Sequence, residues 1–143
     1  MTTLAYRDGE LATDGRVTAG DMIISDRRKK VHRLKDGSIV AWSGHVQSAE
    51  LLMRHLRSTK RDQQPPHIED VGALWLRLDG TLWEYEGAAW VQQDPGYYAT
   101  GSGSPYAFAA MDAGASAKEA VRIAIKRDAS SGGRVQSLKL RSE

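Results

Sequence analysis

The fold is decided where the residue pattern changes its period, in the stretch Ser38–Arg57, which reads SIVAWSGHVQSAELLMRHLR. Its first part, Ser38–Trp42, has the β-branched and aromatic composition of a strand. Its second part repeats apolar residues at spacings of i, i+3, i+4 and i+7, namely at Ala49, Leu52, Met53 and Leu56. That spacing puts them on one face of a helix over about Val46–Arg57. The stretch therefore predicts a strand that leads into an amphipathic helix, with Ser43-Gly44 at the corner.

Upstream of this corner, residues 3–43 predict a meander of short antiparallel strands. Asp8-Gly9 and Asp36-Gly37 are dipeptides that tolerate the positive φ angles of tight hairpin turns. They separate segments with the composition of strands, such as Thr3–Tyr6 and Val31–Leu34. The N-terminal part of the chain is thus expected to form hairpins.

Downstream, a polar stretch that ends in the proline pair Pro65-Pro66 closes the first helix, because proline cannot continue it. Ser116 and Glu119 have the spacing of a capping box, which predicts the start of a later helix. The remaining predicted elements are three strands, one more helix and a final strand: about Gly72–Leu78, Thr81–Tyr85 and Tyr97–Thr100, then Pro105–Ala113, then Arg134–Leu140. Amphipathic strands in this order favour an α+β fold with two antiparallel sheets face to face and helices outside.

Composition sets the outer limits. The chain has 143 residues, a formal net charge of +2 and no cysteine, which excludes disulfide scaffolds and cysteine nucleophiles. The length is typical of one domain over residues 1–143, and the near balance of charge argues against a nucleic-acid partner. No apolar run is long enough for a membrane span, and the first residues lack a secretory signal, so we expect a cytoplasmic protein with no membrane partner. The four histidines lack metal-ligand spacing, and neither a metal nor a cofactor is expected.

The N-terminus offers a possible nucleophile. Thr2 is small enough for the initiator methionine before it to be removed, which would leave an amine and a hydroxyl on one residue. An α-amino group can serve as the base for its own side-chain hydroxyl.

A lysine further along the chain could lie beside this hydroxyl. Lys30 ends the basic run Arg27–Lys30. On a strand it would share a face with Arg28, and Lys29 would share the other face with Val31. A lysine turned inward needs an acidic partner, and Asp14 at the end of a neighbouring strand is the plausible one.

Four motifs in order resemble those of proteasome β subunits and of the bacterial HslV protease, which are N-terminal nucleophile (Ntn) hydrolases. The opening Thr2-Thr3, followed by Asp14 and then by Lys30 sixteen residues later, is similar to the N-terminal part of that family. The turn 101–104, Gly-Ser-Gly-Ser, resembles the family's turn before a helix, and residues 127–133, RDASSGG, resemble an element of proteasome β subunits. The resemblance implies an αββα sandwich in which one helical layer is shortened, because only about 15 residues separate the first helix from the strand at Gly72.

The resemblance also implies roles for particular residues. Thr2 would be the nucleophile, with Lys30 and Asp14 as the ion pair beside it. Ser102 would hydrogen-bond the N-terminal amine, although a serine between glycines also suits an ordinary turn. Two further positions in the element 127–133 would orient the amine and a water, although they also fit an ordinary helix end: Asp128 and Ser131.

Oxyanion stabilisation and substrate binding complete the implied site. The Gly44 N–H would donate to the oxyanion, and the main chain of Thr18 would pair with a substrate strand. Trp42 falls where the floor of the first specificity pocket would lie. It would either restrict that pocket to small side chains or pack in the core.

The function implied is that of a threonine endopeptidase acting through an acyl-enzyme on peptides or unfolded proteins. The resemblance also implies a homo-oligomeric ring and a possible ATP-dependent unfoldase partner. Two alternatives stay open. One is a non-catalytic ring or scaffold protein, in which the basic segment 27–33 could bind an acidic partner; the other is an Ntn amidase acting on small amides.

Overall fold

The computed structural model describes residues 2–94 and 96–141, which form strands and helices in an α+β order. The strands are β1 Leu4–Arg7, β2 Glu10–Thr13, β3 Val17–Ala19, β4 Met22–Ser25, β5 Val31–Arg33, β6 Ile39–Gly44, β7 Val71–Leu76, β8 Leu82–Tyr85, β9 Trp90–Gln93, β10 Tyr97–Thr100 and β11 Gln136–Lys139. The helices are α1 Val46–Leu56, α2 Ser104–Asp112 and α3 Ala117–Arg127. No helix in the described part of the chain has the length and apolar character needed to cross a membrane.

The strands form two antiparallel sheets and a separate hairpin. One sheet has the order β10-β1-β2-β11, and the other runs in chain order from β5 to β9. β1 lies between β10 and β2, with Leu4 opposite both Thr100 and Thr13. β3 and β4 pair only with each other among the described strands. Thr2, which precedes β1, is therefore held at the end of a central strand.

The two sheets pack face to face through large aliphatic side chains, and helices cover their outer faces. The layer between the sheets includes Leu4, Leu11, Ile39, Leu74 and Leu76, none of which is exposed. α1 packs on the five-stranded sheet against Trp42, Trp75 and Tyr85. α2 and α3 pack on the other sheet largely through alanines, which allow close approach of helix and strand. This αββα sandwich, with one helix in one layer and two in the other among the described residues, confirms the predicted fold.

The local turn and cap signals are confirmed as well. Asp8 and Gly9 have φ angles of 50° and 76° between β1 and β2, as a tight hairpin requires. Ser116 caps α3, accepting from the Glu119 N–H while the Glu119 carboxylate accepts from the Ser116 N–H. Strand β9 was not predicted, because its residues 90–93 are partly exposed on both faces and show no alternation of apolar and polar side chains.

The strand alternation assumed for the basic run is wrong. β5 begins at Val31, so residues 27–30 lie outside it and do not follow the two-residue period. Lys30 and Val31 are both buried, at 1% and 3% exposure, while Arg28 and Lys29 are exposed. Lys30 still turns inward, because the segment enters the sandwich between the two sheets.

A half-buried histidine makes the stability of this fold depend on pH. Trp42 Nε1 donates to His32 Nε2 at 3.2 Å, a bond that needs an unprotonated Nε2. Burial, reinforced by the nearby charges of Lys29 and Arg57 and opposed by Glu50, lowers the pKa of His32 to about 4. The unfolded chain therefore binds this proton at a higher pH than the folded chain does.

We expect the stabilising contribution of neutral His32 to be complete above pH 6.5 and to be lost as the pH falls toward 4. The loss is on the order of 2 kcal/mol of unfolding free energy. In His32→Gln the amide oxygen can still accept from Trp42 but does not titrate. Urea unfolding at pH 7 and pH 4.5 measures the difference, and an equal loss in both proteins would contradict the role of His32.

Candidate active site

The structure brings three of the predicted residues into direct contact at the start of β1. The Lys30 ammonium donates to Thr2 Oγ1 at 2.9 Å and to Asp14 Oδ1 at 3.1 Å. All three residues are buried, with exposures of 0 to 1%. A hydroxyl thus lies beside a buried cation that is itself paired with a carboxylate.

Backbone N–H groups hold the Asp14 carboxylate in place. Thr3 N donates to Oδ1 at 3.3 Å, while Gly132 N and Arg16 N donate to Oδ2 at 2.9 and 3.2 Å. A buried carboxylate needs such partners, because an ion pair alone does not repay the cost of removing both charges from water. These bonds tie together the start of β1, the end of β2 and the loop after α3.

Burial also changes the acidity of the Lys30 ammonium. Removal from water lowers the pKa of Lys30, and the charge and hydrogen bond of Asp14 offset only part of that effect. An ammonium with a lowered pKa donates more strongly to a neighbouring oxygen than an exposed one does. Lys30 is therefore suited to stabilise negative charge that develops on Thr2 Oγ1.

A second polar chain lies on the main-chain side of Thr2. Thr2 N donates to Ser102 Oγ at 3.1 Å, and Ser102 Oγ donates to Asp128 Oδ2 at 2.6 Å. Ser131 Oγ donates to the same carboxylate oxygen at 2.6 Å and lies 2.8 Å from Thr3 Oγ1. The positions predicted around the amine are thus connected to one another and to the nitrogen of Thr2.

Asp128 remains a carboxylate in this arrangement. Its partial burial would raise its pKa, but the hydroxyls of Ser102 and Ser131 and the N–H of Ser130 donate to it and lower its pKa on balance. The bond from Ser102 uses that residue's single proton, so Ser102 Oγ is left as an acceptor for the nitrogen of Thr2.

An open cavity of about 450 Å³ adjoins the lysine. Its lining includes Lys30, Thr18 on β3, and Gly44 at the end of β6. The Trp42 N–H bonds the Lys30 carbonyl, and because backbone direction alternates along a strand, the Gly44 N–H points to the same side of β6. β3 has one edge unpaired among the described strands, so the cavity combines a strand edge, an N–H donor and the lysine.

Trp42 lies apart from this cavity. It is 3% exposed and belongs to the core between β6 and α1, with its indole N–H on His32. It is not among the residues that line the 450 Å³ cavity. The geometry therefore favours the packing role over the pocket floor.

Several contacts at the site were not predicted from the sequence. They involve the Gly132 N–H, the Thr3 hydroxyl and Gln136, whose side chain accepts from the Lys30 N–H at 3.1 Å. Gly132 and Thr3 lie within the sequence motifs, but their long-range contacts with Asp14 and Ser131 leave no local signal in the sequence. Met1 lies outside the described residues.

The backbone of Gly101 lies so close to the backbone of Thr2 that a side chain at position 101 would not fit. Its φ is +94°, and a Cβ there would lie 2.1 Å from the Thr2 carbonyl oxygen. We expect Gly101→Ala to lower the unfolding free energy by about 2 kcal/mol or more, because both the strain and the clash must be relieved. Urea denaturation measures this loss. Gly96→Ala, whose Cβ would meet nothing within 4 Å, is the matched control, and equal losses in the two variants would contradict the assignment.

Part of the chain resembles a known protein family in sequence. The model of the family "Proteasome subunit" matches residues 4–64. Two similar relatives are both named proteasome subunit beta. That of Ferroglobus placidus is 28% identical, over 96% of this chain and 83% of its own length. That of Methanocella paludicola is 27% identical, over 88% of this chain and 78% of its own length.

Solved structures share the fold over nearly the full length. Thiobacillus denitrificans BPH in complex with Epoxomicin has a TM-score of 0.71 at 22% identity, covering 99% of both chains. Eukaryotic HslV from Trypanosoma brucei has a TM-score of 0.71 at 20% identity, covering 97% of this chain and 99% of its own. The chain is therefore similar in sequence to proteasome β subunits, and it shares its fold with BPH and HslV.

Proposed function

We propose that this protein is a threonine-type endopeptidase whose nucleophile is Thr2. The observation that carries the proposal is the position of Lys30 Nζ, within hydrogen-bond distance of both Thr2 Oγ1 and Asp14 Oδ1 in a buried site. A purely structural ion pair would not need a hydroxyl at the end of a strand as its third partner. The similarity to proteasome β subunits supports the same assignment.

The reaction follows from the positions of the donors and acceptors. After removal of Met1, the free amine of Thr2 accepts the hydroxyl proton as Oγ1 attacks a peptide carbonyl. Lys30 stabilises the attacking oxygen, and the Gly44 N–H donates to the oxyanion of the tetrahedral intermediate. The amine then gives its proton to the leaving nitrogen, and an ester on Thr2 remains.

Hydrolysis of that ester reuses the same groups. The amine takes a proton from water as the water oxygen attacks the ester carbonyl. The resulting ammonium returns that proton to Thr2 Oγ1 as the ester C–O bond breaks, which restores the hydroxyl. Ser102, Asp128 and Ser131 keep the amine oriented through the hydrogen-bond chain that ends on the Thr2 nitrogen. No metal or cofactor takes part in the proposed steps.

Substrate and assembly are part of the proposal. An extended peptide would pair with the β3 edge at Thr18 and enter the 450 Å³ cavity. The chain would act as one domain in a homo-oligomeric ring in the cytoplasm, with an ATP-dependent unfoldase as a possible partner. The relatives' name, proteasome subunit beta, supports the ring.

Intact-protein mass spectrometry after incubation with Epoxomicin tests the proposal. A peptide epoxyketone offers one electrophile to the hydroxyl and a second to the amine of an N-terminal threonine. We expect the mature chain, without Met1, to gain the mass of one probe. Thr2→Ser should keep the adduct and Thr2→Ala should lose it.

Two outcomes would overturn the proposal. A folded protein that lacks Met1 yet forms no adduct would favour the non-catalytic scaffold. An adduct that survives in Thr2→Ala would place the nucleophile elsewhere. Fluorogenic peptides compared with small amides then separate an endopeptidase from an amidase.

A further inference from the structure

A second groove lies on the other side of the segment that carries Lys30. It has a volume of about 830 Å³, and one wall consists of Asp26, Arg27, Lys29 and Val31. The other wall is residues 133–138. The first wall leads into β5 and the second contains β11, which are edge strands of the two facing sheets. The groove is thus an opening between two sheet edges, and Lys30 itself does not line it.

The charge of the groove is unbalanced. Among the described residues, three cations and one acid line it: Arg27, Lys29 and Arg134 against Asp26. Asp26 is already paired with Arg16, through bonds of 2.8 and 3.2 Å. None of the three cations forms a salt bridge within residues 2–94 and 96–141. The groove therefore presents a positive surface that the described part of the chain does not neutralise.

The β11 wall offers backbone groups as well. Leu140 N bonds Gly9 O toward β2, whereas the Lys139 carbonyl accepts from Arg33 on the opposite side. Because backbone direction alternates along a strand, Ser137 presents its N–H and C=O on the same outer edge as Lys139. β11 has no second partner among the described strands, so this edge can accept another strand.

The two walls are fixed relative to each other. Gln136 accepts from the Lys30 N–H at 3.1 Å and donates to the Arg28 carbonyl at 2.6 Å. Its side chain thus ties β11 to the segment before β5. A ligand that enters the groove does not have to order these walls, which lowers the entropic cost of binding.

We infer that this groove binds an extended acidic peptide segment, which adds to the β11 edge. Its backbone pairs with Ser137, and its carboxylates meet Arg27, Lys29 and Arg134. The apolar lining from Val31, Val135 and Leu138 suits alternate apolar side chains on the same peptide. This inference does not depend on the proposed peptidase activity.

Fluorescence anisotropy with a labelled peptide, acetyl-(Glu-Val)₄, tests the inference on the full chain. We expect saturable binding that weakens as salt increases, because the groove cations are exposed. The charge-reversed peptide acetyl-(Lys-Val)₄ should bind at least tenfold more weakly. A (Glu-Val)₄ peptide N-methylated at alternate amides should also lose at least tenfold if backbone pairing contributes.

Charge reversal in the protein locates the site. Lys29→Glu with Arg134→Glu should weaken binding of the acidic peptide at least tenfold. Arg122→Glu with Lys126→Glu, on the exposed face of α3, is the matched control with the same change of charge and should bind like the wild type. Circular dichroism and thermal unfolding show that each variant is folded. Equal weakening in both pairs, tight binding of the lysine peptide, or no binding of the acidic peptide to the wild type would each overturn the inference.

Discussion

Replacing Lys30 with methionine is expected to slow acylation of Thr2 by roughly 100- to 10,000-fold, the usual range for loss of a group that assists proton transfer. Methionine keeps the length of the side chain but cannot donate to Thr2 Oγ1, which Lys30 now contacts at 2.9 Å. The rate of adduct formation with Epoxomicin, followed by intact mass, measures the effect. Lys29→Met is the matched control, because Lys29 is exposed and adjacent in sequence.

Loss of folding must be separated from loss of chemistry in this test. Removing Lys30 leaves the Asp14 carboxylate buried without its cation, a change that costs about 3–5 kcal/mol in comparable buried pairs. Asp14→Asn combined with Lys30→Met removes both charges, so we expect the double variant to regain part of this stability and to remain slow in acylation. A folded double variant with the wild-type acylation rate would show that Lys30 acts only in structure.

The architecture could be predicted because its signals are local. The change of period at Ser43-Gly44, the Asp8-Gly9 turn and the cap at Ser116 each depend on neighbouring residues, and each is found in the structure. β9 gave no such signal, because a short strand at a sheet edge is held by its pairing with β8 rather than by its own composition. A short edge strand such as β9 therefore depends on its pairing with a neighbouring strand, which the local sequence does not reveal.

The residues of the site could be predicted from the sequence, but the hydrogen bonds between them could not. The burial of Lys30 follows from the path of residues 27–30 between the two sheets, because these residues lie outside β5 and do not alternate as a strand does. The hydrogen bond from the Gly132 N–H to Asp14 joins residues 118 positions apart in the sequence. The hydrogen bond from the Lys30 N–H to the Gln136 side chain joins residues 106 positions apart. For Trp42, the sequence motif also allows a position at the floor of a substrate pocket. In the structure its side chain packs against α1 in the core.

Blocking the amine of Thr2 is expected to abolish acylation while leaving the rest of the site unchanged. Inserting a lysine between Met1 and Thr2 prevents removal of the methionine and turns the Thr2 nitrogen into an amide. An amide nitrogen cannot accept the hydroxyl proton, so the proposed base is lost although Lys30, Asp14 and the hydroxyl remain. We expect a decrease of at least about 1,000-fold in the rate of Epoxomicin adduct formation, near the upper part of the range for general-base removal.

Restoring the amine supplies the control for this loss. A leader that ends in Ile-Glu-Gly-Arg, placed directly before Thr2, can be cut after its arginine by factor Xa. The uncut protein should be inert, and the cut protein should form the adduct at the rate of the mature chain. Since the two samples differ only in the bond before Thr2, recovery on cutting would assign the effect to the amine. Acylation of the uncut protein at an undiminished rate would contradict that assignment and would show that a group other than the amine takes the proton from Thr2 Oγ1.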